Sequence, residues 1–247
     1  AFHADAMAWA FADGVKFVTS KLVFRHGKFL LHVPVTVEVP DVPEASGYAR
    51  VVGVDRGIRF LAATYDGRKT FFHSGAQVKQ KRAHDKELRR RLQMRKTPSA
   101  RHRIRTIGQR ENRWMNDVNH CISKALVCSN PEGTLFVLED LTGIRGATER
   151  VRIKDRYTQV SWTYYDLEQK LAYKAKKYGS SMLSVDPAFT SQTCPICGHV
   201  DKKSRRHETH TFKCTACGYT TNDDRIGAMN LQRMGIEYLL KAQVSGE

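Results

Sequence analysis

Val51-Val52-Gly53-Val54-Asp55 is a short apolar run that ends on a carboxylate. A run of this length and β-branched content reads as a strand buried in a sheet. The same form returns in Leu135-Phe136-Val137-Leu138-Glu139-Asp140. Just after the first run, Phe60 to Tyr65, the turn Asp66-Gly67 and Lys69 to His73 make a β-meander. A long basic helix or helix pair follows. Its second part carries an apolar stripe at Ile107, Trp114, Val118, Cys121, Ile122 and Ala125. A helix is expected from about Val160 to Lys177, with Val160, Tyr164, Leu167 and Leu171 on one face. A strand from Met182 to Val185 runs into Asp186-Pro187, and Asp224 opens a last helix through Ile226, Met229, Met234 and Tyr238. Strands alternating with helices after an early meander predict an α/β fold built on one mixed sheet.

On the amino-terminal side, Lys21 to Phe24 and Phe29 to Val39 read as a hairpin around His26-Gly27. In the second arm Phe29, Leu31, Val33, Val35, Val37 and Val39 alternate with other residues, the period of a half-buried strand. Pro34 inside it predicts an edge strand or a bulge. Pro40 to Gly47 reads as a linker, and the first 19 residues carry no assignable pattern. The chain begins without Met, so a piece of a longer protein is expected.

Lys and Arg number 41 against 25 Asp and Glu, a formal net charge of +16 in 247 residues. Such a surplus favours a polyanionic partner, because each phosphate neutralised releases condensed counterions. From Lys79 to Arg113 there are fourteen Lys/Arg and three Asp/Glu. That block is either a solvated helical face or a track for phosphates, with Arg89, Arg90, Arg91, Arg101, Arg103 and Arg105 as the nucleic-acid-binding candidates. The sequence has no run of about 18 apolar residues, which argues against a membrane partner, and it opens with no secretory pattern. The expected location is the cytosol.

Cys194-Pro-Ile-Cys197-Gly198 and Cys214-Thr-Ala-Cys217-Gly218 have the spacing C-x2-C-x16-C-x2-C. Two such turns present four thiolates to one tetrahedral zinc ion and leave no open position for catalysis, so the zinc is structural. Gly198 and Gly218 stand where a tight turn commonly needs positive φ. A redox dithiol needs one pair and leaves the other unexplained. Between and beside the pairs lie Lys202, Lys203, Arg205, Arg206 and Lys213, a second candidate surface for nucleic acid. Cys121 and Cys128, seven apart, are expected to pack within a helix.

Metal-assisted phosphodiester hydrolysis needs carboxylates that converge from separate elements on hard cations such as Mg²⁺ or Mn²⁺. Strand ends are where such ligands leave an α/β core together. Asp55 and Glu139 end apolar strands and Asp224 begins a helix, but Asp140, Asp186 and Asp223 satisfy the same crude rule, and spacing does not choose among them.

A resemblance does choose. From about Lys21 onward, the segments SKLVFRHGKFLLHVPVTVEVP, GVDRGI, FVLEDLTG, PAFTSQTCPICG with FKCTACGY, and DDRIGAMNL resemble the carboxyl-terminal half of the TnpB transposon-encoded nucleases and the small type V CRISPR effectors. That resemblance implies a RuvC-like domain of RNase H fold, interrupted before its last motif by a zinc ribbon. It implies four segments: residues 1–47 as the last strands of an amino-terminal β-barrel with a linker, 48–189 as the first part of the nuclease domain, 190–220 as the ribbon, and 221–247 as its final motif. Asp55, Glu139 and Asp224, rather than Asp223, would be the catalytic residues and would hold two Mg²⁺ or Mn²⁺ ions. Cys194, Cys197, Cys214 and Cys217 would hold the zinc. The implied partners are a guide RNA and a DNA target, and the implied activity is RNA-guided DNA cleavage.

Two features depart from the pattern. Ile226-Gly227-Ala228 stands where TnpB proteins commonly have Asn-Ala-Ala, and of the amino-terminal β-barrel with a helical insertion that such proteins carry, only the final strands are expected here, in residues 21–39. The resemblance also admits a guided binder that represses without cutting. Retention of all three acidic residues argues against it. A DNA-joining transposase commonly orders its carboxylates Asp, Asp, Glu, whereas this chain has Asp, Glu, Asp.

Overall fold

A computed structural model describes residues 15–25, 27–36, 38–141, 164–206 and 208–245. His26, Val37, Thr142, Gly143 and Val160, which the sequence reading used, lie outside the described residues. The chain divides into two compact units, residues 1–41 and 42–247.

The first unit holds four short strands, β1 (Lys16–Phe17), β2 (Lys21–Arg25), β3 (Lys28–His32) and β4 (Val35–Thr36). β2 and β3 form the expected hairpin, Val23 opposite Leu30 and Arg25 opposite Lys28. The second arm stops before Pro34 and resumes as β4, which pairs with β1 instead. Proline has no N–H to donate to a ladder, so the break falls where the sequence put it. The alternation does not make a half-buried strand here: Leu22, Phe24, Phe29 and Leu31 are exposed. A two-stranded hairpin has no second layer of its own to cover either face.

The second unit is built on a five-stranded mixed sheet. Its strands are β5 (Arg50–Asp55), β6 (Phe60–Tyr65), β7 (Thr70–Ser74), β8 (Thr134–Glu139) and β9 (Ser181–Val185), in the order β7-β6-β5-β8-β9. β5, β6 and β7 form the antiparallel meander, while β8 and β9 join parallel to β5. Parallel strands need crossover connections, and here helices supply them. Between β7 and β8 run α1 (Ala76–Arg95) and α2 (Pro98–Cys128); between β8 and β9 runs α3 (Tyr164–Lys177). α2 starts on good chemistry: the Thr97 hydroxyl accepts from the Ala100 amide at 3.2 Å, and Pro98 occupies the first turn. The long helix α4 (Asp223–Ser245) closes the chain.

Strand side chains alternate, and the two faces find different partners. Val52, Val54, Phe136 and Leu138 pack under Met115, Ile122 and Leu126 of α2 and Leu167 and Leu171 of α3. Val51, Leu135 and Val137 face the other way, against Leu231 and Leu239 of α4. Burial on both faces is why β5 and β8 read as unbroken apolar runs. Gly53 lies on the α4 face, and a Cβ there would fall 2.0 Å from the Ala228 carbonyl oxygen. The glycine is therefore what lets α4 lie flat on the middle of the sheet.

The apolar stripe of α2 is less regular than the sequence implied. Asn119 and Ser123 are buried on it, whereas Cys121 and Cys128 are exposed rather than packed. Asn119 donates to Asp166 at 2.8 Å and Ser123 to the Asn119 backbone carbonyl at 2.6 Å, which gives the Asn119 side-chain N–H and the Ser123 hydroxyl acceptors in the helix–helix seam.

Candidate active site

β5 and β8 are parallel and in register, with Val54 opposite Leu138, so the next residues, Asp55 and Glu139, leave the sheet side by side. By the strand period both belong to the face that α4 covers. α4 begins there. Asn222 caps it, its Oδ1 accepting from the Asp224 amide at 3.0 Å, and this sets Asp224 in the first turn. The Asp55 carboxylate lies against Gly227, where a Cβ would be 2.7 Å from Oδ2.

The electrostatics mark the convergence. Burial, and then the charges of Glu139 and Asp224, push the Asp55 carboxyl up to about 8; Arg205 and Arg56 pull the other way. Burial also raises Glu139, opposed by the Thr190 hydroxyl, Arg56 and Arg205. Asp224 is raised by burial and by Asp223. Three carboxylates all held above their usual range, two of whose charges raise Asp55, with a buried Asp224 Oδ2 lacking a hydrogen-bond donor, fit a hard divalent cation. Arg205, the half-exposed Arg59 at 3.8 Å and His210 pull Asp224 the other way.

Asp223 and Asp224 part company here. Asp223 is fully buried; its Oδ2 takes the Arg205 Nε at 3.2 Å, with His210 Nδ1 at 3.7 Å. Of the two, Asp224 is among the charges that raise Asp55, after Glu139, and Asp223 is not. Asp186 is a turn residue whose Oδ1 accepts from the Ala188 amide at 2.9 Å, and Asp140 is exposed beyond the end of β8.

Several residues to which the sequence reading gave no part in this carboxylate site complete the surroundings. The buried Arg56 donates to the Tyr164 carbonyl at 3.0 Å, to Glu168 at 2.8 Å and to the Glu139 carbonyl, a brace from β5 to β8 and α3. Thr190 donates to Glu139 Oε1. Arg205 and His210 reach the site from the cysteine-bearing segment. Arg56 adjoins Asp55 in sequence and could have been weighed for that reason; nothing local separates Arg205 from Arg206.

That segment folds as a three-stranded antiparallel sheet, β10 (Arg205–Arg206), β11 (Thr211–Lys213) and β12 (Thr220–Asn222). It has two matching turns: the Gly198 amide bonds to the Cys194 carbonyl at 2.9 Å and the Gly218 amide to the Cys214 carbonyl at 3.1 Å. Both glycines have the expected positive φ, 73° and 75°. The four sulfurs lie within 4.8 Å of one another, with Cys194–Cys217 and Cys197–Cys214 both at 3.6 Å. The edge of a tetrahedron around zinc with Zn–S of about 2.3 Å is roughly 3.8 Å, so the cluster is compatible with a zinc site. The Cys217 amide donating to the Cys214 sulfur helps draw the Cys214 thiol down, while burial and the neighbouring sulfurs push the Cys217 thiol up.

The six candidate arginines of the basic block lie on α1 and α2. Arg90, Arg91, Arg101, Arg103 and Arg105 are exposed, with Arg90 and Arg91 beside Glu87. Arg89 is half-buried and pairs with the buried Glu111, which also has Arg82 at 3.9 Å. Among the described residues no helix is long and apolar enough to cross a membrane.

Two family descriptions match the chain: "Probable transposase" over residues 32–143 and "Cas12f1-like, TNB domain" over residues 164–231. The CRISPR-associated endodeoxyribonuclease Cas12f1 of Sulfoacidibacillus thermotolerans is 31% identical over 215 residues, 79% of this chain and 48% of that protein. The TnpB-like protein MJ0751 of Methanocaldococcus jannaschii is 34% identical over 124 residues, 49% of this chain and 43% of that protein. The chain thus spans about half the length of these curated relatives. Among solved structures, a Cas12f1–sgRNA–target DNA complex superposes with a TM-score of 0.57 at 19% identity, covering 84% of this chain and 54% of that one. A CRISPR–Cas12f ternary complex gives 0.58 at 17%, covering 93% and 47%. At such identities the likeness is one of fold. By sequence and by fold, the chain is similar to part of the TnpB-like and Cas12f1-like proteins.

Proposed function

We propose that the chain is the nuclease portion of an RNA-guided DNA endonuclease of the TnpB-like or miniature type V kind, with a guide RNA and a DNA target as partners and the prokaryotic cytosol as its location. The observation that carries this reading is the convergence of Asp55, Glu139 and Asp224 from two strand ends and a helix start, where burial and then the charges of Glu139 and Asp224 raise Asp55 to about 8. The strand order β7-β6-β5-β8-β9, antiparallel then parallel, supports a RuvC-like domain of RNase H type in residues 48–189 and 221–247. Residues 190–220 are its zinc ribbon, and residues 1–47, of which 1–14 lie outside the described residues, carry the last strands of a preceding barrel and a linker.

In this reading Asp55, Glu139 and Asp224 hold two Mg²⁺ or Mn²⁺ ions, which when bound supply an activated water and charge stabilisation for phosphodiester hydrolysis. The protein's own part is to gather three carboxylates before any cation arrives and to brace them. Gly227 lets α4 bring Asp224 up to Asp55, Arg56 ties the end of β8 to α3, and Arg205 offsets part of the negative charge. Cys194, Cys197, Cys214 and Cys217 hold a structural zinc. The exposed arginines of α1 and α2 offer phosphate contacts that position nucleic acid without reading its bases.

The test is cleavage of target DNA by the polypeptide that carries this chain, assembled with its guide. Asp55→Ala, Glu139→Ala and Asp224→Ala should each abolish cleavage and leave binding intact, and chelator should do the same. Normal cleavage by Asp55→Ala or Glu139→Ala refutes the assignment.

A further inference from the structure

Glu139 differs from its two acidic neighbours in how much freedom it has to lose. Asp55 is short and lies against α4 at Gly227, and Asp224 is set by a capped helix start. A glutamate has an additional rotatable bond, and an untethered one spreads over many rotamers. The Thr190 hydroxyl is what it meets. Thr190 is 4% exposed, and its Oγ1 bonds to Glu139 Oε1 while lying 3.1 Å from the Pro187 carbonyl.

Thr190 is itself held in place. It sits in the tight segment between the end of β9 and the first cysteine, where the Thr193 amide returns to the Phe189 carbonyl at 3.0 Å. Asn230 of α4, 2% exposed, spends both protons of its side-chain amide on this segment: one on the Thr190 carbonyl at 2.7 Å, one on the Thr193 carbonyl at 2.8 Å. Thr193 directly precedes Cys194, whose side chain is buried with Phe212, Cys214 and Ile226. Asn230, Ile226 and Asp224 all belong to α4. One helix therefore supplies a carboxylate to the site, a core residue to the cysteine cluster, and the clamp on the segment that joins them.

We infer that Thr190 is a positioning residue, held by Asn230, that fixes the orientation of the Glu139 carboxylate toward a divalent cation. This rests on the reading of the carboxylates as a cation site. The hydroxyl occupies one carboxylate oxygen and leaves the other to the cation, the role an outer hydrogen-bond partner plays at metal sites generally. It also gives the cysteine-bearing segment a second task besides folding: it presents the hydroxyl that aligns Glu139.

The experiment measures Mn²⁺ affinity by electron paramagnetic resonance on the full chain with its cysteine site loaded with zinc, alongside thermal melting. Thr190→Val keeps the shape and removes the hydroxyl; affinity should fall about 10-fold or more, the usual effect of losing such a partner. Thr190→Ser restores the hydroxyl and should bind close to wild type. Should the valine variant not fold, Thr190→Ala takes its place. Wild-type affinity in Thr190→Val, with weakened binding in Glu139→Gln, overturns the positioning role alone. A serine variant as weak as the valine one also overturns it, because the methyl packing would then be what matters. Wild-type affinity in Glu139→Gln overturns the cation-site reading itself and this inference with it.

Discussion

Gly227 of α4 lies directly on the Asp55 carboxylate: a Cβ at Gly227 would sit 2.7 Å from Oδ2, 2.8 Å from Cγ and 3.2 Å from Cβ of Asp55. Real Cβ atoms do not approach that closely, and the contact reaches back to the Asp55 Cβ, which a rotation of the carboxylate does not relieve. Helix propensity alone makes glycine-to-alanine stabilising by about 1 kcal/mol. Here the clash reverses the sign. Gly227→Ala should lower the melting temperature, in line with an overpacking cost of about 1–3 kcal/mol, and should cut divalent-cation affinity and cleavage together. A variant that melts higher and cleaves normally would show that α4 stands off from β5.

The metal-free protein should lose stability as pH rises toward 8. Asp55 has a folded-state pKa raised from 3.8 to about 8. The folded chain therefore keeps a proton that the unfolded chain releases near 4. Its contribution is fully present below about 4 and is lost as pH rises through 8. In chelator, melting temperature should fall across this window for the wild type, and Asp55→Asn should flatten the fall. Added Mg²⁺ should raise the melting temperature more at pH 8 than at pH 5. Equal slopes for wild type and Asp55→Asn in chelator would contradict the crowding of these carboxylates.

Purified protein should carry one zinc per chain. Cys194→Ser or Cys217→Ser should release it and destabilise the cysteine-bearing sheet, because so small a segment gains most of its folding energy from the metal. Elemental analysis of folded, unmutated protein settles the matter; absence of zinc would count against the four-thiolate site.

Asp223 and Asp224 should behave differently. Asp224→Asn removes a carboxylate from the cluster and should abolish cleavage. Asp223→Asn weakens the hold on Arg205, so it should reduce thermal stability and slow cleavage without abolishing it. The reverse pattern would move the third ligand back by one residue.

The basic block should separate by exposure. Neutralising Arg90, Arg91, Arg101, Arg103 and Arg105 together should weaken nucleic-acid binding and flatten its salt dependence, since fewer counterions are released. Arg89→Gln should instead lower stability by about 1–2 kcal/mol, because it takes a partner from the buried Glu111. Titrations at several salt concentrations and a denaturant series separate the two effects.

Sequence alone determined the elements. The apolar runs at Val51 and Leu135, the meander after Phe60 and the pattern of α4 are local signals, and each element forms where its own residues favour it. The paired cysteines were legible for the same reason, because the ligands of each turn lie three residues apart and a glycine follows. What the sequence left open was which acidic residues meet; resemblance, not spacing, chose Asp55, Glu139 and Asp224. Whether carboxylates converge depends on a parallel pairing across some eighty residues and on how closely a helix crosses the sheet, and the second is what Gly53 and Gly227 permit. Tertiary structure alone also assigned Arg56, Thr190 and Asn230 their partners, since a side chain's neighbour across the fold leaves no periodicity in the chain. The same cause sent Arg89 toward Glu111: a helical charge run looks uniform in one dimension, and only a second helix laid against it decides which guanidinium is turned inward.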